Sequence, residues 1–402
     1  MQHAGFKQHW KDIAASLLKL GATAYGGPAI MGIMQAELQE RRQWVPKERF
    51  VEGLSLANLI PGATATQLGI FLGYARGGWW GGLLAGLCFV LPGFVIMLAL
   101  TVAYAALGVT PIMRGALYGL GPVVLGIYAV AVYRLGKTTI GTTSQVFLAV
   151  AAAIAAAWGP VGPAAILLLA AGAGLWLFHS RRLGALVLIV LAAALVALRY
   201  VPMLAVSPGA PRPAGLAEMG AILLAIGAFT FGGGLTMIAF IQDQMVNHLH
   251  WLTPQQFIDG LALGQFTPGP ILVVAAYVGY TVAGLAGAVV GATAVFLPSF
   301  VLMLAVLPVF DRMRTLGWAR AAMRGIGPAV IGVLAISLVR LAPHALPDPF
   351  AVVLLGATVF ALMYWRVGTL KLMLGGAALG VLRTRLPSLQ AARSVLSAST
   401  RI

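Results

Sequence analysis

From residue 260 to residue 310 the chain runs 51 residues without one charged side chain. No water-soluble fold is written that way, because soluble domains carry roughly 25% charged residues and scatter them throughout. A bilayer accepts such a stretch, and a spanning helix there needs about 20 mostly apolar residues. The whole chain of 402 residues agrees: 60% are hydrophobic, and 26 Lys and Arg face only 10 Asp and Glu. In a soluble protein a net charge of +16 points to nucleic acid. Here the basic residues sit between apolar runs rather than on one face, so nucleic acid is set aside and the lipid bilayer is the expected partner. Backbone groups in lipid must be satisfied internally, so the expected fold class is an all-α polytopic membrane protein.

Apolar runs mark the expected segments: 53–75, 79–107, 115–133, two passes within 138–178 that turn at Gly159-Pro160 and Gly162-Pro163, and 183–198. Residues 202–215 hold Pro202, Pro208, Pro211 and Pro213 and read as a linker. The run 260–310 is long enough for two passes, 321–341 and 350–365 for one each, and 372–382 is short. The total is about 12–13 membrane segments. Three regions follow: a first module (1–201), with a repeat core at 17–135 and extra helices at 138–200; the linker; and a second module (216–402), with its core at 223–341. The N-terminal residues show no secretory leader pattern. Cys88 is the single cysteine, and no Cys/His spacing suggests a metal, so no cofactor or metal is expected.

The two cores are an internal repeat. Leu20 to Pro28 matches Ile226 to Gly234; Phe50-Val51-Glu52-Gly53-Leu54 matches Phe257-Ile258-Asp259-Gly260-Leu261; and Asn58 to Gly62 matches Gln265 to Gly269. Leu91-Pro92-Gly93-Phe94 matches Leu297-Pro298-Ser299-Phe300, and Arg134-Leu135 matches Arg340-Leu341. Basic loops favour the cytoplasm. Residues 41–49 carry Arg41, Arg42, Lys47 and Arg49, whereas 248–256 carry no Lys or Arg; Arg312, Arg314, Arg320 and Arg324 face a counterpart holding only Arg114. The bias flips between halves, as inverted repeats require. An odd number of crossings must then separate the cores.

Two places in each repeat break the helical pattern: Tyr25-Gly26-Gly27-Pro28 with Phe231-Gly232-Gly233-Gly234, and Pro61-Gly62 with Pro268-Gly269-Pro270. Such interruptions survive in lipid only where protein or a water-filled cavity covers them. Freed N–H groups at half-helix N-termini bind anions, so the candidate substrate site is Gly26, Gly27, Asn58, Pro61, Gly62, Thr64, Gly232, Gly233, Gln265, Pro268 and Gly269. Hydroxyls of Thr23, Thr66, Thr230, Thr236 and Thr267 lie close in sequence. The breaks fit either kinks or re-entrant hairpins. Hairpins would bring Arg76 to the side of residues 41–49, with Arg134, Lys137, Arg181 and Arg182 joining them.

Glu52 and Asp259 each precede a glycine where a broken segment begins, and Arg134 and Arg340 are paired by the repeat; these four are the coupling or charge candidates. Against them stand a helix-dipole role for the acids and snorkelling for the arginines. Glu37, Asp243, His248, His250 and His344 read as loop residues. With no Asp-x-x-Asp, His-Glu-x-x-His or nucleotide-binding Gly-x-x-x-x-Gly-Lys-Ser/Thr set, an enzyme is not expected.

The element Tyr25-Gly26-Gly27-Pro28, the loop 37–44 ending in Trp44, and Pro61-Gly62-Ala63 running to Gly73-Tyr74 resemble the chromate ion transporter family. The second half repeats the pattern in Phe231-Gly232-Gly233, 243–251, and Pro268-Gly269-Pro270 to Gly279-Tyr280. Tyr25 and Ala63 depart from the family's Phe and second Pro. The resemblance implies a secondary transporter that exports chromate, with sulfate as its mimic, across the bacterial inner membrane on the proton motive force, giving chromate resistance. Sulfate or another anion as cargo, a membrane-embedded enzyme and a passive channel are the alternatives. Proton coupling and a homodimer stay open.

Overall fold

A computed structural model describes residues 6–25, 29–107, 110–159, 161–200, 215–309, 317–365 and 367–385. Among them are fifteen α-helices and no strand. The first repeat contains α1 (Phe6–Thr23), α2 (Ala29–Met34, prolonged by a π-helical turn Gln35–Arg41), α3 (Lys47–Leu59), α4 (Thr64–Leu107) and α5 (Pro111–Thr139). Next come α6 (Thr143–Trp158), α7 (Pro163–Phe178) and α8 (Arg181–Tyr200). The second repeat matches the first element by element: α9 (Leu216–Ala228), α10 (Thr236–Ile241, prolonged by the π-helical turn Gln242–His248), α11 (Pro254–Phe266), α12 (Val274–Val306) and α13 (Gly317–Ala345). Two helices follow, α14 (Pro349–Met363) and α15 (Thr369–Arg385). The linker residues 202–214 lie outside the described residues.

The breaks are re-entrant hairpins. Helix α3 has 13 residues, about 20 Å, and so reaches only the middle of a hydrocarbon core about 30 Å thick. The chain then doubles back, and the first arm of α4 returns beside α3, with Phe71 lying where a side chain at Gly53 would go. Tyr277 covers Gly260 in the same way, and its hydroxyl donates to the Gln256 carbonyl at 2.7 Å. The helix α4 is itself folded. At Gly77-Gly78 its backbone leaves the helical region, Gly78 having φ +64°, and Gly73 then packs on Gly81 and Ala85 across an antiparallel turn. Ala283 and Gly284 (φ +61°) do the same in α12, bringing Gly279 onto Gly287. Only a residue without Cβ takes that left-handed turn at no cost. Residues 53–75 are therefore two hairpin arms, not one span. The run 260–310 likewise makes one crossing plus hairpin arms rather than two passes. α1 and α2 form the other hairpin: Asp12 on α1 meets Arg42, just past α2, at 2.6 Å and Arg76, at the end of the first arm of α4, at 3.7 Å. Arg76 thus lies beside the 41–49 loop.

The remaining helices run from face to face, and the side chains at their ends fix the path. Gln145, at the start of α6, donates to the Arg324 carbonyl at the start of α13; Arg340, near the end of α13, donates to Ala156 and Ala157 at the end of α6. Tyr118 near the start of α5 bonds Asp348 at the start of α14, and Arg134 near the end of α5 donates to Leu362 at the end of α14. The three helices α6, α7 and α8 put the second repeat on the opposite face, so the repeats are inverted. Among the described residues four helical segments, Thr64–Leu107, Pro111–Thr139, Ile271–Val309 and Gly317–Ala345, are long and apolar enough to cross a membrane.

Each half lends helices to the other. The pair α6–α7 packs on α13, and α14–α15 packs on α5. Small residues make these contacts close: Gly119 meets Gly376 and Gly380, Gly325 meets Ala170 and Gly174, and Gly332 meets Ala149. Backbone approach through small residues is the usual source of helix association in lipid, where no hydrophobic drive exists between helices.

At the first-half hairpin face Glu37 accepts from Arg42 Nε and Arg41 Nη1, both at 3.0 Å. The Arg42 guanidinium holds the Glu37 carboxyl below its ordinary range against the opposing effect of burial, with Arg41 adding to the pull. A depressed carboxyl contributes stability above its unfolded value and loses it as pH falls through the folded one. Acidification below about pH 4 should therefore lower the melting temperature of the purified protein, and Glu37→Gln should remove that part of the pH dependence. Inversion gives a second expectation. With Cys88 replaced by Ser, cysteines placed at the equivalent positions Gln43 and His250 should react with an impermeant thiol reagent from opposite sides of the membrane.

Candidate anion site at the re-entrant tips

The tips of the hairpins meet at the centre of the protein. The Gly62 N–H donates to the Thr230 carbonyl at 2.6 Å, and the Gly269 N–H donates to the Ala24 carbonyl at 2.8 Å. Gly62 and Gly269 are repeat equivalents, and so are Ala24 and Thr230. The Pro-Gly tip of each half is thus tied to the Gly-rich tip of the other by one backbone hydrogen bond. The preceding Pro61 and Pro268 stop the incoming helices, and the glycines take φ +132° and +86°, which side chains rarely adopt. Each Pro-Gly tip also leans on the long arm of the opposite repeat. Ala63 N–H donates to Ser299 Oγ at 2.8 Å, while on the other side a Cβ at Gly93 would meet the Pro268 carbonyl at 2.7 Å. Ser299 and Gly93 are again equivalent, so one half uses a hydroxyl where the other uses an absent side chain.

The Gly-rich tip of the second half is built from three consecutive left-handed residues, Gly232 (φ +66°), Gly233 (+74°) and Gly234 (+97°). Thr236 Oγ closes it, accepting from Phe231 N–H at 2.7 Å and donating to the Phe231 carbonyl at 2.9 Å. Gly232 and Gly233 are exposed, and nothing lies within 4 Å of the place a Gly233 Cβ would occupy. Gly26 and Gly27, their expected counterparts, lie outside the described residues.

The other candidates divide. Thr64 starts the first arm of α4 and is buried, and Asn58 is exposed near the end of α3. Gln265 donates to Tyr128 Oη at 2.9 Å, on the fully buried ring of α5. The hydroxyls of Thr23, Thr230 and Thr267 are turned back on their own helices, onto the carbonyls of Lys19, Ile226 and Gly264. Thr66 Oγ and Gln67 Oε1 are buried without a protein partner, while Gln67 Nε2 holds the Pro61 carbonyl at 2.8 Å. The N–H groups of Gly62 and Gly269, free in the sequence reading, hold the two halves together instead.

The charge candidates also separate. Glu52 is bound by Arg49 at 2.8 Å. Asp259 is only 5% exposed and accepts from Tyr104 Oη and Gln255 Nε2, both at 2.9 Å; Tyr104 comes from the long arm of α4 in the opposite half. Among the described residues no basic side chain pairs with Asp259. Arg134 and Arg340 do more than snorkel: each caps the C-terminal carbonyls of a helix lent by the other half, at 2.7 and 2.6 Å. Asp243 is not a loop residue. It lies in the π-helical turn Gln242–His248 and is 8% exposed. Sequence reading missed Tyr104 as the partner of Asp259 and Ser299 as a partner of the Pro-Gly tip, and only the alignment of Ser299 with Gly93 could have marked the latter.

Removing Ser299 Oγ leaves the buried Ala63 N–H unpaired, which costs about 1–3 kcal/mol. Ser299→Ala should lower the melting temperature in detergent. Gly62→Ala should lower it too, since its Cβ would fall on Ser299 Oγ and Gln67 Nε2 at an unfavourable φ.

The sequence model of the chromate transporter family matches residues 11–176 and 217–381, one match in each half. The chromate transport protein of Cupriavidus metallidurans is 32% identical over 381 residues, 92% of each chain. A probable chromate transport protein of Synechococcus elongatus is 34% identical over 347 residues, 84% of this chain and 86% of its own. An uncharacterized transporter of Methanocaldococcus jannaschii is 28% identical over 398 residues, 92% and 94% of the two chains. No solved structure matches the chain. On the strength of two matches that coincide with the two inverted repeats, the chain belongs to the chromate transporter family.

Proposed function

We propose that the protein exports chromate across the bacterial inner membrane on the proton motive force, with the re-entrant tips as the anion site. The observation that carries this reading is the convergence of the tips of both repeats at one place, in a chain whose relatives include chromate transport proteins. α4, α10 and α12 start at or just after these tips, so their positive dipole ends face the centre. Each contributes about half a positive charge, enough to hold a tetrahedral dianion loosely without a fixed cation. Loose binding suits a carrier, which must release what it binds. The exposed Gly232–Gly233 backbone, the buried Thr66 hydroxyl and the amide of Asn58 are the donors available to the anion.

The face bearing Arg41, Arg42, Lys47, Arg49, Arg76, Arg181, Arg182, Arg320 and Arg324 is the cytoplasmic one by the positive-inside rule. Export of a dianion then runs down the electrical gradient, at about 2.3 kcal/mol per charge for each 100 mV. Asp259, buried at the opposite face and bound only by neutral donors, is a proton-coupling carboxylate; Glu52, its equivalent, is committed to Arg49.

Inverted vesicles containing the protein should accumulate chromate faster than protein-free vesicles, and an imposed proton gradient should change the rate. Gly233→Val should reduce uptake to the protein-free level while the protein stays in the membrane. Asp259→Asn should slow gradient-driven uptake by about tenfold, equivalent to about 1.4 kcal/mol. Uptake of sulfate in preference to chromate would transfer the site to a different tetrahedral dianion. Flux that neither saturates nor responds to the gradient would make it a channel.

A further inference from the structure

The inverted halves differ at one place that the tips do not explain. In the second half α10 packs against α13 and α7, and the π-helical turn Gln242–His248 that prolongs it shares a cavity with them. A partly open cavity of ≈ 20 Å³ lies there, between Gln242, Asp243, Asn247, Ser337 and Arg340. It adjoins a wider cavity of ≈ 420 Å³ that shares Gln242, Asn247 and Arg340 and is bordered by His344. The smaller space fits about one water molecule, which needs only about 10–15 Å³. Gln242 is 4% exposed, and its Oε1 has no hydrogen-bond partner. A buried amide oxygen left bare is costly, and Gln242 is among the residues that line the cavity. Asp243 beside it accepts from Gln244 Nε2 at 3.0 Å, and His248 Nδ1 stands 3.7 Å away. The equivalent residue of the first half is Ala36, since the carbonyls of Glu37 and Gln244 close the same turn in the two repeats.

We infer that Asp243 is a proton-binding site, reached from the hairpin face of the second half through a water held between its carboxylate and Arg340 in the cavity that Gln242 lines. The step is a plain proton transfer: a hydronium in the wide cavity gives its proton through the held water to a carboxylate oxygen, leaving water and a neutral carboxyl. The groups facing Asp243 are His248 on its own turn and Arg340 on α13, with His344 farther along α13 at the wide cavity; the loop before α7 presents Val161, α7 presents Pro163 and Ile166, and α6 presents Ala156, all apolar. Arg340 is the link outward. The same guanidinium that lines the cavity holds the Ala156 and Ala157 carbonyls at 2.6 and 3.2 Å. Discharging Asp243 removes its pull on Arg340, so proton occupancy alters the tie between the second-half hairpin and the helix lent by the first half. As a step in coupled transport, this site rests on the function proposed above.

The test is infrared titration of the purified full-length protein in lipid, followed by flux measurement. Wild type should show a carboxyl C=O band that grows on acidification. Asp243→Asn should delete that band, Asp259→Asn should keep it, Asp243→Glu should restore it at a shifted frequency, and Gln242→Leu should move it without removing it. Identical bands in wild type and Asp243→Asn would overturn the site, and failure of Asp243→Glu to restore any band would do the same. In vesicles with an internal pH dye, chromate-dependent proton movement should disappear in Asp243→Asn and return in Asp243→Glu. Unchanged proton movement in Asp243→Asn would overturn the coupling role. A wild type that shows the band but moves no chromate would instead sink the transport reading and leave the proton site standing.

Discussion

Everything in this fold depends on covering non-helical backbone at the middle of a membrane. Lipid offers no hydrogen bonds, so an interrupted helix there needs protein or water at every freed group. The chain solves this with itself: Gly62 N–H binds the Thr230 carbonyl and Gly269 N–H binds the Ala24 carbonyl. Neither half can close its own tips, because the partner of each Pro-Gly break is the Gly-rich break of the other. The inverted repeat is thereby a requirement of satisfaction as well as a product of symmetry. The glycines serve two ends at those positions, since the turn needs positive φ and the opposite half comes too close for a side chain.

The same reciprocity governs the outer helices. α5 is wrapped by α14 and α15, and α13 by α6 and α7, through glycine contacts that bring backbones together. Arg134 and Arg340 fasten the lent helices at their C-terminal carbonyls, where a cation is favoured by the helix dipole as well as by the hydrogen bond. Sliding one repeat against the other must therefore load these caps and the central pair of hydrogen bonds together. Alternating access by inverted repeats needs such a coupling between a central site and the two faces.

Symmetry is broken where charge is concerned. The first-half hairpin face is crossed by ion pairs among Asp12, Glu37, Arg41, Arg42 and Arg76. The second-half face has instead two buried acids, Asp243 and Asp259, with neutral donors close by and an open cavity beside the first. Two faces built from one template thus differ in electrostatic character. That difference is what a directional, proton-linked cycle would use.

Much of this was legible in residues alone. The charge-free runs determined lipid as the solvent and helix as the only element, because each apolar stretch must satisfy its own backbone. The repeat and the reversal of basic loops determined two inverted modules, and the Pro-Gly and Gly-Gly pairs marked the four breaks. Tertiary structure decided the rest. The apolar runs part 53–75 from 79–107, but only the contact of Gly73 with Gly81 shows the chain turning back at Gly77-Gly78. The amides of Gly62 and Gly269 look free in sequence, yet they are spent across the halves, because a donor's partner lies about 170–250 residues away and no local pattern encodes it. Asp243 reads as a loop acid, and Arg340 as an interfacial charge. Their shared cavity exists only because α13 and the π-helical turn, nearly a hundred residues apart, pack together. Composition and period determine what each segment can be. Which buried polar atoms find each other is decided by packing alone.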